Sequence, residues 1–423
     1  MRTTPKADMY QTNAANKMRI LNLVHEHRCI SRTDLAKTTD LSVAAVSRIV
    51  QHLMEEGYLV ETGYGDSAGG RRPVNIELKS DAGYIIGVDF ERSRARAAVF
   101  DFCGEEKFYY KAVIQNNDYF AGLYEAVDAC VKCLRANGWN DRLLGIGLGV
   151  RGLLDVASGT ILYSSSFSWG NVPLPLRQIL EDRYGVPVFM DINARLAALS
   201  EWSLVYRRSV SDLSYVTASW GVCAGIIANN RIFRGGCDGA GEIGNSFISA
   251  DLASGSMKKL EELCGGQMFL REAQQHWEHP DCTTLREACG NDLEQLTLDR
   301  MVEASQAGDK FCLELAARGG RVLGIGLANL AVSFDPQIIV LGGTLMELGD
   351  AYLKPATEVL MESLVPEERS RLKLAKSMLG TRASMTGASL LVFQSLFPNP
   401  YGPELADEST AWSRSDVAET LTR

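Results

Sequence analysis

Between Ser42 and Gln51 the chain reads SVAAVSRIVQ, and these side chains suit one kind of chemistry, the reading of a DNA groove. Ser42, Ala44, Ala45, Ser47, Arg48 and Gln51 form the small, polar and basic face of a helix. Serine and arginine there can hold phosphate oxygens, Arg48 and Gln51 can reach base edges, and Ala44 or Ala45 can meet a thymine methyl. Downstream, Arg71 and Arg72 follow the turn-rich YGDSAGG, and arginines at a glycine-rich tip suit a groove or phosphates. Ser31 and Arg32, at the head of a shorter helix, complete the expected DNA-binding residues. The competing reading of this segment is a three-helix packing module that touches no DNA.

To present that face the chain needs a short helix, a tight turn, a second helix and a two-stranded wing. Residues 31–72, SRTDLAKTTDLSVAAVSRIVQHLMEEGYLVETGYGDSAGGRR, carry a signal for each. Ser31 precedes Asp34 by three positions, a carboxylate variant of the capping box. Asp40 and Ser42 end the first helix and restart the chain, with Ser42 a natural N-cap. Val46, Ile49, Val50, Leu53 and Met54 then make one apolar stripe at helical spacing, and Gly57 closes the helix. YLVETG and PVNIEL flank the tip as strands. This is the layout of a winged helix-turn-helix, with double-stranded DNA as its partner. His25 and His27 close the helix before it, where imidazole suits the C-terminal dipole, and are assigned no chemistry.

Length and charge frame the rest. At 423 residues the chain exceeds one core. We expect a flexible start over 1–14, a DNA-binding domain over 15–80, a two-lobed body over 81–398 and a flexible tail over 399–423. The net charge of −9 argues against nucleic acid if taken globally, but residues 1–80 hold 11 Lys+Arg against 9 Asp+Glu and the remainder 32 against 43. A mildly basic head on an acidic body suits a local DNA-binding surface. The polar N-terminus carries no signal peptide, and the longest apolar run, near Val322–Phe334, is too short to span a bilayer. Ten scattered cysteines suit reduced thiols. A cytoplasmic location without membrane partners is therefore expected.

The body reads as strands alternating with helices. GYIIGVDF (83–90) and RARAAVFDF (94–102) are strands joined by Glu91-Arg92-Ser93, followed by EKFYYKAV (106–113) and a helix over Asp118–Ala136. LLGIGLGV (143–150), VPVFMDI (186–192) and IIVLGG (338–343) are short buried strands. YVTASWGVCAGIIANNRIF (215–233) repeats the opening strand-turn-strand. The fold class is α/β, and the weak repetition predicts two lobes.

Taken together, SRTDLAKTTDLSVAAVSRIV, GGRRP, GYIIGVDF, WGNVPLPLRQILEDRYGVPVFMDINARLAALSEW, GAGEIGN and DPQIIVLGG resemble the ROK family, which groups sugar-responsive repressors with sugar kinases. The resemblance runs from about Lys17 to Pro398. It implies, for the body, an actin-like, RNase H-like sugar kinase fold. The family pattern for the first phosphate turn is Asp-x-Gly-x-Thr, and this chain has Asp89-Phe90-Glu91-Arg92-Ser93. Glu91 puts a charged side chain where phosphates need bare backbone. Gly221, Gly225, Gly342 and Gly343 keep the later turns, although glycines at strand ends are also ordinary turn formers. The family's Asn-Asp-x-Asn stretch reads Met190-Asp191-Ile192-Asn193. Asp191 matches the general base, while the sugar-binding Asn has become Met190. Asp191 could equally cap the helix that starts around Asn193.

The resemblance also implies a zinc site built from Gly-Glu-x-Gly-His and a cysteine-rich loop. Here Gly241-Glu242-Ile243-Gly244-Asn245 has Asn for His, and LASGSMKKLEEL (252–263) has no cysteine, so no metal or other cofactor is expected. Glu242 can still accept sugar hydroxyls, and Glu261 loosely matches the closing Glu of the lost loop. His276-x-x-His279-x-x-Cys282 is interrupted by Pro280 and lacks a fourth ligand, and Cys130-x-x-Cys133 reads as helix packing.

These readings converge on a DNA-binding repressor of carbohydrate genes whose body senses a sugar or sugar phosphate and no longer turns over ATP. The expected effector residues are Asp191, Asn193, Glu242, Asn245 and Glu261, with no catalytic residue, Asp191 marking the degenerate base position. A homodimer or homotetramer would place two heads on a pseudo-palindromic operator, and a ligand between the lobes would act on the heads through the Lys79–Tyr84 junction. Two other readings stand beside this one: a bifunctional sugar kinase that also binds DNA, and an effector-independent regulator whose body only dimerises.

Overall fold

The computed structural model describes residues 5–64, 74–164, 173–251 and 256–399. The chain divides into two compact units, one running to Asn193 and resuming at Met385, the other covering Ala194–Ser384. No helix among the described residues is long and apolar enough to cross a membrane.

The first unit opens with α1 (Pro5–His27), β1 (Cys29–Ser31), α2 (Arg32–Thr39), α3 (Val43–Glu55), β2 (Leu59–Tyr64) and β3 (Val74–Leu78). α1 begins at Pro5, inside the stretch expected as the flexible start over 1–14. Proline at the first helical turn is tolerated, and no glycine follows it to interrupt α1. The wing has three strands rather than two, in the order β1-β3-β2. β1 pairs Cys29 with Glu77, Ile30 with Ile76 and Ser31 with Asn75, and three residues are too few for alternation to announce a strand. The wing tip, with Arg71 and Arg72, lies outside the described residues, as does the expected tail from residue 400 onward.

The same unit carries a five-stranded sheet of β4 (Tyr84–Phe90), β5 (Arg94–Asp101), β6 (Glu106–Val113), β7 (Leu143–Val150) and, after the hairpin β8 (Leu153–Asp155) and β9 (Thr160–Tyr163), β10 (Val188–Ile192). Its order is β10-β7-β4-β5-β6. α4 (Tyr119–Ala136) starts at Asp118, whose side chain accepts from the Ala121 N–H, and α5 (Leu176–Tyr184) precedes β10. The last helix, Ala383–Leu396, packs on this sheet at van der Waals limits. A Cβ on Gly87 would stand 2.2 Å from the Met385 carbonyl oxygen, and one on Gly147 2.1 Å from that of Ala388. Glycine on β4 and β7 is what lets a helix lie so close.

That last helix also reaches the DNA-binding head. Phe393 and Phe397 pack with Phe102 at centroid separations of 5.4 and 5.5 Å, and Tyr58, just after α3, joins them at 5.5 Å from Phe102 and 5.7 Å from Phe397. His25 stacks on Phe393 at 4.2 Å. Asn22 of α1 donates its side-chain amide to the Phe397 carbonyl at 2.7 Å, and Arg28 donates to the Cys103 carbonyl. Burial, then the nearby Glu56, pushes the Tyr58 phenol up to about 12. The head is thus keyed to the body by an aromatic cluster with a buried polar pin.

The second unit opens with α6, whose first residue Asn193 closes the first unit (Asn193–Ser200), and repeats the sheet plan. It contains β11 (Leu213–Ala218), β12 (Val222–Ala228), β13 (Arg231–Ile232), the hairpin β14 (Phe247–Asp251) and β15 (Ser256–Lys259), α7 (Leu260–Cys264), β16 (Ile338–Gly342) and β17 (Lys373–Lys376). The order β13-β12-β11-β16-β17 has the same sense as β6-β5-β4-β7-β10: three antiparallel strands, then two parallel additions. The predicted repetition is therefore topological. Helix Lys310–Phe334 packs on helix Asp350–Ser363 and buries Leu323, Leu327 and Tyr352 completely.

Candidate DNA-reading helix and strand-end residues

α3 is built to expose its first turns. Asp40 adopts the left-handed conformation (φ 57°) that ends α2, and the Ser42 hydroxyl accepts from the Ala45 N–H at 3.2 Å. Val46, Ile49, Val50 and Leu53 are buried, leaving Ser42, Ala44, Arg48 and Gln51 exposed with Ala45 and Ser47 half-buried beside them. Gln51 donates to Glu55 at 3.1 Å, and Arg48 makes no hydrogen bond or ion pair among the described residues. Val43 is also 50% exposed at the first helical position. Its apolar type hides it from a search for polar readers, yet it stands beside Ala44 where a thymine methyl would be met.

Two of the expected DNA-binding residues are engaged within the head. The buried Ser31 hydroxyl accepts from the Asp34 N–H at 3.1 Å and donates to the Asp34 carboxylate at 2.7 Å. Those bonds from Ser31 and then Lys37 hold the Asp34 carboxyl below its usual range. Arg32 pairs with Glu61 of β2 at 2.7 Å, tying α2 to the wing. Replacing Ser42 by alanine removes an N-cap acceptor, which costs about 1 kcal/mol. Chemical denaturation of the full chain followed by head-specific hydrogen exchange should show faster exchange in α3 and weaker DNA binding without loss of the body.

In the body of the first unit, one row crosses the sheet at the carboxyl ends of three parallel strands. Asp89 of β4 and Asp191 of β10 both stand in register with Gly149 of β7, and Arg96 of β5 faces Asp89. Arg96, 4% exposed, donates to Asp89 at 2.7 Å and to Glu91 at 3.3 Å, and Arg94 lies 3.6 Å from Glu91. Burial pushes the Glu91 carboxyl up, but Arg96, Arg94 and Arg151 outweigh it and hold the group below its ordinary value. The turn after β4 is therefore filled by an internal ion network. Asp191 is wholly buried, and its Oδ1 accepts from the Ile192 N–H at 2.7 Å. Asn193, 7% exposed, begins α6.

The second unit gathers the other three candidates. Asn245 donates to Glu242 at 3.3 Å and accepts from the Lys259 ammonium at 2.9 Å. The Cys223 thiol lies 3.6 Å from the other Glu242 oxygen. Glu261 packs against Gly244, where its carboxylate would meet any added Cβ at 2.9 Å. Lysine was not foreseen here, and its cation organises Asn245 and Glu242 as a hydrogen-bonded chain. Among the described residues no three His, Cys, Asp or Glu side chains gather as a metal would need. His276 and His279 are exposed, and the Cys282 thiol is buried and donates to the His276 carbonyl. Cys130 is buried in α4, its thiol pushed up by desolvation.

The later glycine turns have their own packing reasons. A Cβ on Gly342 would fall 1.8 Å from the Tyr215 hydroxyl, and one on Gly225 2.1 Å from the Ala194 carbonyl oxygen. Their retention therefore follows from the fold without any appeal to nucleotide.

Known proteins match both parts. The winged helix-turn-helix DNA-binding family model matches residues 14–60, and the ROK family model matches residues 85–395. The xylose repressor of Caldicellulosiruptor bescii is 31% identical over 91% of this chain and 97% of its own length. The DNA-binding transcriptional dual regulator NagC of Escherichia coli is 28% identical over 89% and 92%. Among solved structures, a ROK family transcriptional regulator described as a homolog of the E. coli MLC protein shares the fold over 97% of this chain and 99% of its own, with a TM-score of 0.73 at 21% identity. A ROK family glucokinase from Streptomyces griseus, in complex with glucose and AMPPNP, covers 74% of this chain and all of its own at 26% identity and a TM-score of 0.64. A reading head joined to a twice-repeated sheet, and family models that match the head and most of the body, place this chain in the ROK family.

Proposed function

We propose that this protein is a sugar-responsive DNA-binding transcriptional repressor whose kinase-derived body binds an effector without phosphorylating it. The observation that carries the reading is the capped, exposed face of α3 with Arg48 unpaired at its middle. Arg48, Gln51, Ala44 and Val43 are assigned to base edges, Ser42 and Ser47 to phosphates, and Arg71 and Arg72 to the groove beside the wing. Ser31 and Arg32 act by holding α2 and the wing in place. Two copies set their heads on a pseudo-palindromic operator, with half-sites about one helical turn or a multiple of it apart.

Loss of kinase activity is supported by the filled turn after β4, since Glu91, Asp89 and Arg96 satisfy one another where backbone N–H groups would have to face phosphates. Asp191 and Asn193 are assigned to effector hydroxyls in the first unit, and Glu242, with Asn245 orienting it and Glu261 beside it, in the second. Retention of a buried Asp191 favours one other reading, a kinase that also binds DNA. A coupled ADP-release assay over a panel of monosaccharides decides between them. The repressor reading expects operator binding that a sugar weakens and no sugar-dependent ADP. Sustained turnover abolished by Asp191→Asn would establish the kinase instead.

A further inference from the structure

Arg151 directly follows β7, two residues past the row that holds Asp89, Gly149 and Asp191. Val150 stands in register with Ile192, so Arg151 and Asn193 are the next residues of two neighbouring parallel strands. Ligands of open α/β sheets bind at this carboxyl edge. The Arg151 side chain is 8% exposed, and among the described residues it makes neither a hydrogen bond nor an ion pair. A guanidinium carries five N–H donors and does not shed its proton, so burying one without an anion is costly.

The carboxylates of this edge do not pair with it among the described residues. Glu91 feels the charge of Arg151, but its carboxylate is already taken by Arg96 at 3.3 Å and Arg94 at 3.6 Å. Asp89 is taken by Arg96 at 2.7 Å. Asp191, the third carboxylate of this row, accepts from the Ile192 N–H, and it makes no ion pair with Arg151 among the described residues. Arg195 offers a contrast within the molecule. It is buried still more deeply, yet it donates to the carbonyls of Asp238 and Ala240.

We propose that Arg151 is the anion-binding group of the effector site, and that the effector is a monosaccharide carrying a phosphoryl or carboxylate group. The anionic oxygens complete the guanidinium, a bidentate match that arginine makes better than lysine, while hydroxyls meet Asp191 and Asn193 on the adjoining strand end. This inference rests on the body being a sugar receptor, and it deepens that reading by fixing the charge of the ligand.

Calorimetry on the full chain at constant ionic strength tests it with xylose, glucose, N-acetylglucosamine, the 6-phosphates of the last two, glucuronate and inorganic phosphate. At least one anionic sugar should bind roughly 10-fold or more tightly than its neutral parent, and Arg151→Met should erase that margin while leaving any affinity for the parent unchanged. Comparing 6-phosphate with glucuronate tells phosphoryl from carboxylate. Should Arg151→Met fail to fold, Arg151→Lys carries the test, keeping the charge but not the fork, and a loss of less than about threefold for the anionic sugar would overturn the assignment. A neutral sugar that binds as well as its anionic forms overturns this inference alone. Inorganic phosphate binding as tightly as any sugar phosphate overturns the monosaccharide. Silence across the whole panel overturns both the inference and the sugar-receptor reading beneath it.

Discussion

Replacing Arg96 by methionine is expected to destabilise the first unit by roughly 3–5 kcal/mol, because it removes one partner of a buried ion network and strands the others. Asp89 loses its 2.7 Å partner and Glu91 its nearest one, while Arg96 itself is 4% exposed. The network also raises the Arg96 guanidinium's own affinity for its proton: burial opposes this, and Glu91 and Asp89 outweigh burial. Thermal and denaturant unfolding of wild type and variant give the difference directly. Its pH dependence has a definite sign. The Glu91 carboxyl is held below its ordinary 4.5 in the folded chain, so its contribution is fully present above about 4.5 and is lost as pH falls through the depressed folded value. The gap between wild type and variant should therefore be widest near neutral pH and narrow in acid. A gap that stays constant down to acid unfolding would show that Glu91 takes no part in the network's stability.

The second large effect concerns DNA. Arg48→Ala and Gln51→Ala should each weaken operator binding by about 5- to 150-fold, corresponding to roughly 1–3 kcal/mol for a good base contact. Both side chains are exposed on α3 and neither belongs to its apolar stripe, so the fold of the head should survive. Fluorescence anisotropy with the operator and a scrambled duplex separates the roles. A base reader loses discrimination between the two duplexes, whereas a phosphate contact weakens both and lowers the salt dependence. If Arg48→Ala lowers affinity for the scrambled duplex by as much as for the operator, Arg48 holds backbone and does not read sequence.

What the sequence could announce follows from which interactions are local. The Ser42 cap, the stripe from Val46 to Leu53 and the strand at 143–150 are short-range patterns, and they emerge where expected. β1 went unseen because a three-residue strand has no periodicity, and β17 because KLAK alternates too weakly in polarity. Substitution of Glu91 for a glycine was visible, but its engagement by Arg96 depends on β4 and β5 pairing Asp89 with Arg96, a register no local pattern fixes. Lys259 reached Asn245 by the same kind of route, from across the β14–β15 hairpin. Arg151 was hidden for another reason. An arginine after a strand looks like a solvated end, and only burial without a partner distinguishes it.

The pin between Asn22 and Phe397 joins residues 375 positions apart. A ribosome makes the head first, yet the aromatic seat that fixes the head against the body is among the last parts of the described chain to be translated. Synthesis at about 5–20 residues per second leaves α1 and α3 unsecured for tens of seconds. A nascent or prematurely terminated chain can therefore carry every residue proposed to contact DNA and still lack the seat that fixes the head against the body. Nonsense mutations ahead of Phe393 should consequently release a head that binds DNA without answering to a sugar, rather than simply a shorter repressor.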